Sequence, residues 1–187
     1  MFTYNHLINS NINRLALDIC NNLLNHNTRP VFLCVGSSKV IGDSLGPLTG
    51  ELLIKNKLPA YVYGKLDENI TASNLEDYYK KIKAVHFNNP IYIIDASVGA
   101  LSEIGLVKYK KGSLIPAIYT KEMSSAIGDY SIWACVNCKG INNLMFLNSV
   151  KLSLIYNMAS FISNAIITGL AYYDKITKPN SLNYKSC

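Results

Sequence analysis

Apolar residues at Ile8, Ile12, Leu15, Ala16, Ile19, Leu23 and Leu24 recur at helical spacing, so the chain opens with an amphipathic helix over about residues 4–26. Asn25 to Pro30 end it, because proline and the residue before it both resist the helical conformation. Val31-Phe32-Leu33-Cys34-Val35 follows as an unbroken apolar run, the mark of a strand covered on both faces in a parallel sheet. Gly36 to Gly42 read as a loop. A helix from Leu45 or Pro47 to Asn56 comes next and accommodates Pro47 in its first turn.

The alternation then repeats. Ala60–Tyr63 form a second strand that ends at Gly64, and Ser73-Asn74 cap a helix over Leu75–Val85, with Glu76 and Asp77 near its positive end. Ile91–Ile94 make a third buried strand, stopping at Asp95. Leu106–Tyr109 alternate like a half-exposed strand, Lys111-Gly112 turn the chain, and Ser131–Val136 form another strand. Asn142 or Asn143 opens a long helical region to Tyr173, with room for one break, and the polar tail of residues 178–187 frays. Alternating strands and helices of this kind predict one α/β domain over residues 1–187, with its core at about 30–175. The expected architecture is a three-layer sandwich around a mostly parallel, twisted sheet. Ligands of such folds bind beyond the carboxyl ends of the strands, which here are the loops starting at Gly36, Gly64 and Asp95.

Composition changes this picture in three places. No charged residue lies between Lys151 and Asp174, a stretch long enough to span a bilayer. Ser153, Asn157, Ser160, Asn164 and Thr168 nevertheless form a polar stripe opposite Leu154, Ile155, Met158, Ile162, Ala165, Ile166 and Gly169, so the segment reads as an amphipathic helix on a core and no membrane association is expected. The net charge is +6, but Arg14 and Arg29 are the only arginines, and the lysine groups Lys80/Lys81/Lys83 and Lys108/Lys110/Lys111 suit solvent faces, so no nucleic-acid partner is expected. Cys20, Cys34, Cys135, Cys138 and Cys187 form an irregular, odd set with no apolar leader before them, which fits a reduced cytoplasmic protein. Cys135 and Cys138 have CxxC spacing without a second pair or a histidine to complete a zinc site, and they read as strand-end packing.

With 12 acids in 187 residues, carboxylates in apolar, glycine-rich surroundings stand out. Gly36-Ser37-Ser38-Lys39-Val40-Ile41-Gly42-Asp43-Ser44-Leu45-Gly46-Pro47 lies between a strand and a helix, yet it matches neither a phosphate loop nor the dinucleotide fingerprint. Asp43 at the helix start would repel a phosphate. It is either a helix cap or a functional acid. Asp95, directly after four apolar strand residues, is either bonded to its own loop or one of a pair with Asp43. Two adjacent carboxylates push one pKa upward, so one can hold a proton while the other activates water. Asp129, in Gly128-Asp129-Tyr130-Ser131, precedes a strand and lies at the opposite rim if that strand is parallel. Asp67 lies in a crest loop. Ser37, Ser38, Ser44 and Ser97 have no evident base, which argues against a serine nucleophile.

Val35-Gly36 through Asp43-Ser44-Leu45-Gly46-Pro47, with Ile93-Ile94-Asp95-Ala96, resembles the spore-protease family called YyaC. The resemblance runs from about Pro30 to Ser160 and includes Gly64-Lys65-Leu66-Asp67 with Asn74-Leu75, Ile127 through Ile132, and Val136-Asn137 with Gly140. That family looks related to the germination protease of spores and, more distantly, to the hydrogenase maturation proteases, which implies a phosphorylase-like α/β sandwich. The resemblance implies a sporulation-associated endopeptidase in which Asp43 and Asp95 are the catalytic pair. Gly36, Ser37, Asp67, Gly99 and Asp129 would contact a peptide or small spore protein, and the amides near Gly36 and Gly99 would polarise its carbonyl. Ser37 departs from the asparagine of the relatives, which leaves room for a non-catalytic peptide- or small-ligand-binding descendant. The maturation proteases add a nickel-binding histidine downstream of the second acid. His6, His26 and His86 all precede Asp95, so no nickel or other cofactor is expected, while weak Mg²⁺ or Ca²⁺ binding and homo-oligomer formation stay open.

Overall fold

A computed structural model describes residues 1–114, 127–138, 147 and 149–178. Its elements in chain order are β1 (Phe2–Asn5), α1 (Ser10–Leu23), β2 (Val31–Cys34), α2 (Leu45–Lys55), β3 (Tyr61–Tyr63), α3 (Leu75–Val85), β4 (Ile91–Gly99), β5 (Leu106–Lys111), β6 (Tyr130–Cys138) and α4 (Leu152–Thr177). A 3₁₀ turn, Ile41–Ser44, leads into α2. The strands form one six-stranded sheet in the order β1-β5-β6-β4-β2-β3. β3, β2, β4 and β6 run parallel, while β5 and β1 add an antiparallel margin. This is an α/β sandwich with a parallel centre.

Strand alternation sorts the core into its two faces. Phe32, Cys34, Tyr92, Ile94 and Ile132 join Leu15, Ile19, Leu45, Leu53, Met158, Ile162 and Ile166 in the cluster beneath α1, α2 and α4. Val31, Leu33, Val35, Ile91 and Ile93 meet Ile70, Leu75 and Ile82 beneath α3. By length and composition α4 could cross a membrane, but it lies against α1 and α2 with 56% of its most apolar window buried. Ser153, Asn157 and Asn164 of its polar stripe face outward.

Four sequence expectations are corrected. The chain opens with a strand, and its helix starts at Ser10, because Phe2–Asn5 pair with β5 and Tyr4 turns into the core to donate a hydrogen bond to Asp18. β4 does not stop at Asp95. Ala96 to Gly99 stay in the ladder because β6 continues beside them to Cys138. Asn74 begins α3 but does not cap it, since its Oδ1 accepts the Thr71 N–H at 2.8 Å. Asp129 is not at the functional rim. β6 runs parallel to β4, so the residue before Tyr130 lies at the amino end, where Asp129 Oδ2 accepts the Ile91 N–H and the Asp129 N–H returns a bond to the Ile91 carbonyl, both at 2.8 Å. The start of the last helical region and the tail from 179 fall outside the described residues.

Two substitutions test these contacts. A β-carbon at residue 46 would stand 2.0 Å from the Val35 carbonyl oxygen, so α2 packs on β2 only with glycine there. Gly46→Ala should lower stability by about 2 kcal/mol or more, as overpacking against rigid backbone does, measured by urea denaturation at pH 7. Asp129→Ala leaves the Ile91 amide buried without its acceptor, and the same measurement should show a loss of roughly 1–3 kcal/mol.

Candidate active site at the crest of the sheet

The carboxyl ends of β2 and β4 lie side by side, joined last by a bond from the Val35 N–H to the Ile94 carbonyl at 2.8 Å. At that level the chain leaves β2 through Gly36, whose φ of +136° lies in a region that side-chain-bearing residues rarely adopt. The Gly36 N–H donates to the Ile70 carbonyl and the Ser37 N–H to the Asp43 carbonyl, at 2.8 and 3.1 Å. The loop thereby closes on itself and sets the 3₁₀ turn that carries Asp43 against β4.

Asp43 is 6% exposed and Asp95 4%. Asp43 does not cap α2. Ser44 occupies that position, and its hydroxyl donates back to the Ile41 carbonyl at 2.7 Å. Burial raises the Asp43 carboxyl above the ordinary carboxylate range, and the nearby Ser37 main-chain amide opposes the shift. Asp95 sits mid-strand beside Trp133 of β6, and its Oδ1 accepts the Ala96 N–H at 2.8 Å. The two acids therefore reach one crest from neighbouring strands.

A second loop flanks the first. Asn69 Oδ1 accepts both the Ser38 N–H at 2.8 Å and the Ser38 hydroxyl at 3.0 Å, while its Nδ2 donates to the Lys65 and Leu66 carbonyls. The Ser38 hydroxyl is also within 2.9 Å of the Leu66 carbonyl. Asp67 is exposed at the tip of the tight turn from Lys65 to Glu68, beside this joint. The sequence reading passed over Asn69, because one asparagine among 21 gives no signal until the fold sets it opposite Ser38.

The other expected site residues part company. Gly36 and Ser37 shape the turn through their main chain, and the Gly36 amide is occupied by Ile70. Gly99 stands ~13 Å along β4 from Asp95 at ordinary strand rise, paired with Cys138 and covered by Glu103. Neither amide is placed to polarise a carbonyl at the acids. Asp129 remains at the far rim. His6 contacts the Gly105 carbonyl, His26 the Tyr130 hydroxyl and His86 the Tyr63 hydroxyl, away from the crest. Among the described residues no three of His, Cys, Asp and Glu gather as metal ligands.

The same fold occurs in the [NiFe] hydrogenase maturation protease HycI from Thermococcus kodakarensis, with a TM-score of 0.51 at 16% identity over 79% of this chain and 98% of that one. The protein YyaC of Bacillus subtilis, described as uncharacterized, is 32% identical over 146 residues, which cover 78% of this chain and 69% of its own. Residues 3–165 match the model of the family described as "Protein of unknown function (DUF1256)", and the chain belongs to that family.

Proposed function

We propose that the chain is an endopeptidase of the germination-protease type, acting on a small protein in the cytoplasm of a spore-forming cell through Asp43 and Asp95. The observation that carries this reading is that two carboxylates are buried at the carboxyl ends of adjacent parallel strands, one in the turn after β2 and one in β4. Asp43, driven toward its protonated form by burial, suits the group that gives a proton to the leaving amine. Asp95, an acceptor toward the Ala96 amide, suits the group that takes a proton from water. The Ser37 departure does not touch this arrangement, because Asp43 meets the main chain of Ser37. A second reading, a peptide-binding descendant without catalysis, draws on the same departure if the relatives need the asparagine side chain itself.

Small proteins extracted from spores, incubated with the purified chain and followed by mass spectrometry, should be cut at defined bonds. Asp43→Asn and Asp95→Asn should each slow that cutting by roughly 100-fold or more, the usual contribution of a positioned acid or base. Equal cutting by all three proteins would sink the mechanism, and peptide retention with no cutting would favour the second reading.

Stability gives an independent check. A carboxyl whose pKa is raised by folding binds its proton more tightly in the folded state. Its contribution to stability is complete below about pH 4 and is lost as the pH rises through the folded value. Asp43→Asn escapes that loss. Its thermal midpoint should exceed that of the wild type at pH 7, with the gap closing as the pH falls toward 4, and a lower midpoint at pH 7 would contradict the assignment.

A further inference from the structure

β4 outruns its neighbour. The β2 ladder ends at Cys34 opposite Ile94, the Val35 N–H makes the last bond to the Ile94 carbonyl, and Gly36 turns the chain aside. On its other edge β4 stays paired with β6 as far as Gly99 and Cys138. Main-chain groups of successive strand residues point to alternate edges. The Pro90 and Ile94 carbonyls accept from the Val31 and Val35 N–H groups, while Ile91 exchanges bonds with Asp129 on the β6 side. Even-numbered residues of β4 thus face β2. The bulge near Ser97 adds its extra residue, Val136, to β6, so this parity holds to the end of β4.

Ala96 and Val98 consequently present their amides and carbonyls on the edge that β2 has left. There the β2 ladder offers no partner beyond Ile94, and the Ala96 N–H is met by Asp95 Oδ1 at 2.8 Å. Burial relaxes along the same stretch, from buried at Ala96 to half-buried from Ser97 to Gly99. An open strand edge that begins at a buried carboxylate has the hydrogen-bonding complement of an extended polypeptide.

We propose that a peptide in extended conformation docks as an added strand on the Ala96–Val98 edge of β4, its scissile carbonyl accepting the Ala96 N–H beside Asp95. Docking stands on the strand edge alone, whereas cleavage rests on the peptidase reading of Asp43 and Asp95. The arriving carbonyl replaces Asp95 Oδ1 at the Ala96 amide. That polarises the carbonyl and releases the carboxylate oxygen to take a proton from water. The water oxygen bonds to the carbonyl carbon, the C–N bond breaks, and the Asp43 proton passes to the departing nitrogen, leaving a carboxylic acid and an amine. The Ala96 amide thereby fills the role that neither Gly36 nor Gly99 can serve. Recognition through main-chain groups selects segments free of fixed structure and without proline at the bonded positions.

Val98→Pro removes an N–H on the open edge without removing a bond to β6, and strand edges tolerate such a change. Immobilised Asp43→Asn protein would be exposed to a random decapeptide pool, alongside Asp43→Asn/Val98→Pro, with thermal midpoints confirming that both are folded. Peptides should be retained by the first and lost, by at least tenfold, from the second. Single N-methylation along a retained peptide should weaken binding at alternate residues only. If Val98→Pro instead unfolds the chain, the methylation pattern on Asp43→Asn protein decides. No retention by Asp43→Asn protein, equal retention by both folded proteins, or methylation effects without alternation would overturn strand docking. Offering retained peptides to the wild type separates the two claims. Alternating retention without cutting leaves docking in place and sinks the peptidase reading, and cutting that ignores both Val98→Pro and methylation sinks docking alone.

Discussion

The crest depends on one main-chain contact: the Asp43 carbonyl oxygen lies 2.0 Å from where a β-carbon of residue 36 would stand. Only glycine allows the loop to close that tightly, and only with Gly36 at positive φ does the chain leave β2 in the direction that brings Asp43 back over β4. The same economy recurs at Gly46 against Val35, so the start of α2 is seated on the strand by backbone contact with no side chains between. A carboxylate held by such contacts has little freedom to move toward water. The turn thus holds the group in the buried position that raises its pKa.

The two ends of the sheet do different work. At the amino rim Asp129 joins the β4 and β6 starts by bonds in both directions with Ile91, fixing the register in which Asp95 falls opposite Trp133. At the carboxyl rim the strands stop at unequal lengths, with Asp95 just beyond the last β2 partner of β4. The antiparallel margin of β5 and β1 lies on the far side of β6 from this step, so it extends the core without covering the crest.

Much of this was legible in the sequence for identifiable reasons. The runs Val31–Val35 and Ile91–Ile94 have no polar interruption, and only a parallel centre hides such strands on both faces. Asp43 and Asp95 stood out because each follows glycine-rich or apolar chain that gives an acid no solvent. What escaped was set by pairing. Phe2–Asn5 is too short for its alternation to outweigh the helix pattern that follows, and its strand character comes from the edge of β5. The length of β4 beyond Asp95 is likewise decided by β6, which keeps Ala96 to Gly99 extended although Ala-Ser-Val-Gly alone reads as a loop. Asn69 gained its place from the Ser38 loop lying 31 positions earlier, a relation that no local pattern carries.

Trp133 is the only tryptophan in the chain, and the register of β4 with β6 sets it across from Asp95 on one face of the sheet, with the Lys110 ammonium 5.7 Å from its ring on the side away from β4. Indole emission responds to charges held at fixed positions around the ring. The protein thus carries its own optical probe one strand away from the candidate acid, so that ultraviolet excitation of the unlabelled chain follows events at the crest in real time.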